Sequence, residues 1–141
     1  MKIAIARTAA LLAVFICVHG YAQSPQETSN ADKVIQGLNL SAPYKTGTVE
    51  YFNLNHRFPN SNQELAMAPL PDNAIVQRVD VSTPDANSRT VITITYGSWA
   101  GANNVLTMTG WAMEGGVQFT CGGAGSTLPD EWRPKACKAA A

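Results

Sequence analysis

The chain lacks a long apolar run: its one strongly apolar stretch, Ala9 to Val18, is about half of the roughly 20 residues that a membrane-spanning helix needs. Charge is also scarce. Only 14% of the residues are Asp, Glu, Lys or Arg, ten of each sign, and the basic ones stand singly rather than in a stripe. Without a basic stripe there is little to hold a phosphate backbone, so no nucleic-acid partner is expected. There are two histidines, His19 and His56, and three cysteines. Two cysteines with a distant His56 fall short of the four ligands of a tetrahedral metal site, and no metal or other cofactor is expected. No Gly-x-Ser-x-Gly elbow occurs, and nothing places a serine and a carboxylate on His56. Asp130 and Glu131 are adjacent, so their side chains point apart and make a poor acid/base pair. The chain is therefore not expected to be an enzyme.

What is present begins with an export signal. Lys2 and Arg7 precede the apolar run, and the small-residue site Gly20-Tyr21-Ala22 follows it. This is the layout of a secretory signal peptide over residues 1–22, cleaved after Ala22. An uncleaved anchor, counted from Ile3 to Ala22, is the alternative, and membrane contact is expected only in that case. Ile16 before Cys17 argues against lipid attachment. The remaining 119 residues suit one domain, and they carry eight basic and ten acidic residues, a net charge of −2. In the oxidising compartment that export implies, periplasmic or extracellular, Cys121 and Cys137 should pair.

Residues 23–31 are polar, contain Pro25, and read as a flexible lead-in to a domain over 32–141. From Asp32, taken as an N-cap, Val34, Leu38, Ala42, Lys45, Val49 and Phe52 recur at spacings of three and four. That predicts an amphipathic helix ending near Asn55, kinked or split at Pro43. Tyr51, Phe52 and Phe58 read as core or anchor residues, and His56 as a cap or surface residue. Ile75, Gln77, Val79 and Val81 predict a strand with one apolar face. A second strand is Val91 to Tyr96, with Ile92, Ile94 and Tyr96 inward and Thr93 and Thr95 in solvent. Val105 to Trp111 and Val117 to Cys121 supply two more, with Glu114-Gly115-Gly116 as a tight turn. The tail from Gly122 to Lys138 is too rich in Gly and Pro for regular structure. The order predicts an α+β domain, one helix on a four-stranded antiparallel sheet with a disulfide-bounded C-terminal loop.

Three segments resemble the type IV pilins of Gram-negative bacteria: LNLSAPYKTGTVEYFNLNHRFPNSNQEL (38–65), VITITYG (91–97) and VQFTCGGAGSTLPDEWRPKAC (117–137). They stand in the family's order, and the resemblance covers about residues 30–138. The resemblance implies a pilin-like roll and a non-enzymatic role with pili, in adhesion, structure, assembly or regulation. It implies pilins or pilus-assembly proteins as partners. The family's long apolar half-helix has no counterpart in the similar segments, and the signal peptide occupies its place. A soluble periplasmic competitor or chaperone of pilins, or a small secreted binding module reusing the fold, are the alternatives. Loop tryptophans are favoured contact residues. The candidate interaction surface is Trp99, in a turn with Gly97 and Gly101, together with Trp132, Asp130 and Arg133 inside the disulfide loop.

Overall fold

A computed structural model describes residues 29–71 and 73–138; the predicted signal peptide and most of the lead-in lie outside the described residues. Helix α1 spans Asn30–Asn55. Its start is set by Ser29, whose backbone is extended and whose Oγ accepts from the Asp32 amide at 3.2 Å and donates to the Asp32 carboxylate at 2.6 Å. Ser29 is therefore the N-cap, and Asp32, expected in that role, is its third-residue partner, favourably placed at the positive end of the helix. The helix ends at His56, left-handed at φ 54°, whose amide donates to the Phe52 carbonyl at 2.8 Å. α1 runs through Pro43 as one continuous element, so it is not split there.

The buried face of α1 differs from the predicted stripe. Val34, Gly37, Ser41, Tyr44 and Thr48 are buried, while Ala42 is exposed and Leu38, Lys45, Val49 and Phe52 are only partly covered. The contact row is rotated by about one residue toward small side chains. The cause is Tyr96, a fully buried ring whose hydroxyl donates to the Val34 carbonyl at 2.8 Å. A Cβ at Gly37 would lie 2.6 Å from Tyr96 Cζ. Helix and sheet thus approach too closely for a large residue at this point.

The sheet is a four-stranded antiparallel meander in the order β1 (Val76–Asp85), β2 (Arg89–Tyr96), β3 (Val105–Met113), β4 (Gly116–Cys121). Ile92, Ile94 and Tyr96 of β2 are wholly buried, as their alternation predicts, and pack with Val79, Val81, Leu106 and Met108. The expected alternation in β1 fails at its start. A register shift between Val76 and Arg78 places Val76 inward and Gln77 in solvent, and leaves Ile75 only partly covered. Such a shift adds a residue to one strand and inverts the pattern beyond it. Thr95, expected in solvent, is 7% exposed. It sits between Arg78 and Val105 in register, and the Arg78 side chain lies over it, Nε donating to Thr95 Oγ1 at 3.4 Å.

The chain between α1 and β1 is tied down rather than loose. Phe58 is buried against Phe52, ring centroids 4.5 Å apart, and its amide donates to the Ala86 carbonyl. Asn62 closes part of the β1 edge: Nδ2 donates to the Val79 carbonyl at 2.7 Å and Oδ1 accepts from the Val81 amide at 2.8 Å. Asn62→Ala should lower stability by about 1–2 kcal/mol, since two strand groups lose their partners; chemical denaturation checks this. Glu64 gathers the same loop. It accepts from the Asn60 amide and Arg57 Nη1, each at 3.0 Å, while Arg57 lies over the Tyr51 ring. The Asn60 amide first, then Arg57, hold its carboxyl down at about 2 from an ordinary 4.5. A depressed carboxylate stabilises the fold above the unfolded value and ceases to do so as pH falls through the folded one. Glu64 therefore contributes fully above pH 4.5 and loses that contribution toward pH 2. Glu64→Gln is expected to flatten the melting temperature across that interval relative to wild type.

Candidate interaction site

Cys121 ends β4 and Cys137 lies in a short 3₁₀ turn, Lys135–Cys137; the two are bonded, closing the loop expected from the sequence. Beyond β4 the tail continues along β3. The Gly122 amide donates to the Thr107 carbonyl, the Thr107 amide to Ser126 Oγ, and the Val105 amide to Thr127 Oγ1. These contacts satisfy the half of β3 that β4 does not reach, which backbone donors and acceptors require. Gly122 adopts φ 82°, and a side chain there would meet the Cys137 carbonyl. Leu128, 1% exposed, anchors the loop in the core.

The structure brings all four expected surface residues to this end of the molecule. Asp130 and Trp132 belong to a second 3₁₀ turn, Asp130–Trp132, and Trp99 to a third, Ser98–Ala100. Trp132 packs against Trp99 with ring centroids 5.9 Å apart, and Trp99 meets the buried Tyr96 edge-on at 5.5 Å. Trp99 Nε1 donates to the Ile75 carbonyl at 2.8 Å. An aromatic ladder thus runs from the core out to the disulfide loop, and each tryptophan is half-buried. Burial drives the Tyr96 phenol far above its ordinary value, so the hydroxyl stays protonated and remains the donor to α1.

Arg133 pairs with the exposed Asp130 at 2.9 Å and donates to the Leu128 carbonyl, yet its own side chain is only 8% exposed. It therefore holds the loop together from within while Asp130 faces out. An open depression of about 830 Å³ adjoins the pair, lined by Gly123, Ser126, Asp130, Arg133 and Lys138 among others. Lys33, which sequence reasoning did not single out, reaches from α1 to place Nζ 5.2 Å from the Trp99 ring centre, a favourable cation–ring contact. Its signal in the sequence was nil, since its partner is 66 positions away. His56 is exposed at the helix end. Among the described residues no group of three or more His, Cys, Asp and Glu converges as metal ligands, and no helix is long and apolar enough to cross a membrane.

A single helix laid on an antiparallel meander, with the C-terminal tail sealed to the last strand by a disulfide, is the plan of a pilus subunit's globular domain. The family model for pilin, a bacterial filament protein, matches residues 33–138, and the chain belongs to this type IV pilin family. The family is structural and non-enzymatic. Comparison with the curated proteins gave no match.

Proposed function

We propose that this protein is exported and works with type IV pili, in adhesion, pilus structure, assembly or regulation, through protein–protein contacts of its disulfide end. Membership of the pilin family supports a role with pili. The observation that carries the choice of surface is the Trp99–Trp132 pair, half-buried and braced by Tyr96, with the charged Asp130 beside it. Rigid aromatics rimmed by polar groups are the usual anchors of an interface. The test is co-sedimentation of the purified domain with pili from the same cells. Co-pelleting is expected, weakened by about tenfold or more in Trp132→Ala and in Asp130→Lys, the loss typical of an interface anchor. No co-pelleting at high protein concentration would overturn the proposal.

A second reading, a soluble competitor or chaperone of pilins, draws support from the Ser29 cap. Its backbone is extended, so α1 starts at Asn30 with a cap of its own. Binding to isolated pilin but not to assembled pili would favour it, and an N-terminus at Gln23 in the mature protein would support the export both readings share.

A further inference from the structure

The two edges of the sheet are treated in opposite ways. β1 is guarded: Asn62 occupies its backbone groups at Val79 and Val81, register shifts interrupt both ends, and Arg78, Asp80 and Pro84 lie along it. These are the devices by which proteins keep an edge from pairing with another chain. β4, reading GVQFTC, has no charge, no proline and no shift in its pairing with β3. The Gly122 amide points to β3. By strand alternation the Gln118 and Thr120 amides do so too, and those of Val117 and Phe119 point away from the sheet. No described segment pairs with that outer side.

Next to the open edge lies a groove of about 380 Å³ between α1 and β4, lined by Lys45, Thr46, Val49, Glu50 and Phe119. Lys45 Nζ stands 5.2 Å from the Phe119 ring centre, and neither Lys45 nor Glu50 takes part in an ion pair among the described residues. Along α1, Glu50 is five residues beyond Lys45, a rise of about 7.5 Å. It lies toward the Phe52–Phe58 end, which meets the β1–β2 turn at Ala86. That is also the Val117 end of β4, because Arg89, Trp111 and Gln118 are in register. Two strand residues span about 6.8 Å. Lys45 therefore sits beside Phe119, and Glu50 lies further toward the Val117 end of the same groove.

We propose that the β4 edge pairs antiparallel with the β4 edge of a second copy of this chain, about a two-fold axis at Gln118. In that register Val117 of each copy faces Phe119 of the other, both with free amides directed across the seam. The two helices lie on the same side of the joined sheet, and the two grooves merge into one apolar seam. The same rotation sets Lys45 of each copy opposite Glu50 of the other, so two charges without an ion-pair partner among the described residues find partners across the axis. Such an interface is isologous and closed, and limits assembly through this edge to two copies. The occupant follows from this complementarity: a groove with one positive and one negative end suits its own two-fold image.

A six-residue edge places the contact among small interfaces, under about 1,200 Å², so association should be weak and visible only toward concentrations of about 1 mM. Sedimentation velocity of the naturally processed protein, disulfide intact, is expected to show a concentration-dependent dimer. Val117→Pro removes an outward amide and leaves the β3-directed ones, and should weaken the dimer at least about tenfold. Lys45→Glu, which leaves the β4 backbone and its amides unchanged, should weaken it as well, and adding Glu50→Lys to that variant should restore it. A monomer at every concentration overturns the proposal, as does a dimer indifferent to both single variants or one that the double charge exchange fails to restore. Binding to pili through the disulfide end is measured separately, so failure of one leaves the other standing.

Discussion

Replacing Cys121 and Cys137 together by alanine is expected to lower the thermal midpoint by on the order of 10 °C under oxidising conditions. The bond closes a segment with a sequence separation of 16, and restricting a loop of that length in the unfolded chain is worth about 3 kcal/mol. For a domain near a hundred residues, each kcal/mol moves the midpoint by several degrees. Alanine is the proper replacement because Cys137 is 4% exposed, and a serine hydroxyl there would add a burial cost of its own. Addition of a reductant to the wild type should reproduce the shift, and leave the alanine variant unmoved. A wild-type midpoint unchanged by reduction would remove the structural role of the bond. The loss should also reach the candidate interface, since Trp132, Asp130 and Arg133 all lie between the two cysteines.

The second large effect concerns a residue that looks innocuous. Gly37→Ala is expected to destabilise the protein by about 2–3 kcal/mol, although in an exposed helix interior the same change would stabilise by about 1 kcal/mol. The added methyl would overlap the Tyr96 ring, whose Cζ and Oη both lie 2.6 Å from its position. The ring cannot turn aside freely, being wholly buried and bonded to the Val34 carbonyl. Either α1 lifts from the sheet or Tyr96 abandons its bond. Urea denaturation gives the magnitude, and near-ultraviolet dichroism reports on Tyr96 and its neighbour Trp99. Tyr96→Phe alone should cost only about 1 kcal/mol, the worth of one hydrogen bond, which separates loss of the bond from loss of the fit.

The order of elements was legible in the sequence because it rests on local signals. Ile92, Ile94 and Tyr96 alternate with threonines, and Glu114-Gly115-Gly116 marks a turn where Gly115 and Gly116 take φ 94° and 141°. The cysteine pair needed only compartment logic and count. The packing face of α1 was not legible: Leu38, Val49 and Phe52 make a plausible apolar stripe, yet Gly37, Ser41 and Thr48 face the sheet. A hydrophobic pattern reports which residues avoid water, whereas Tyr96, 59 positions further on, decided how close the helix could come.

The candidate site divides along the same line. Trp99, Trp132, Asp130 and Arg133 could be named from residue type and from their place in turns and in the loop. Their division of labour, Arg133 buried as a brace and Asp130 exposed, came from the fold alone. So did the contrast between a guarded β1 and an open β4, because an edge exists only once strands have an order. By itself the sequence determined the elements, the disulfide and the family, through periodicity, turn chemistry and motif order, all of which act over short stretches of chain. Only the tertiary structure decided which faces meet and, among the described residues, which edge stays open and which charges lack ion-pair partners, since those depend on contacts between residues far apart in the sequence.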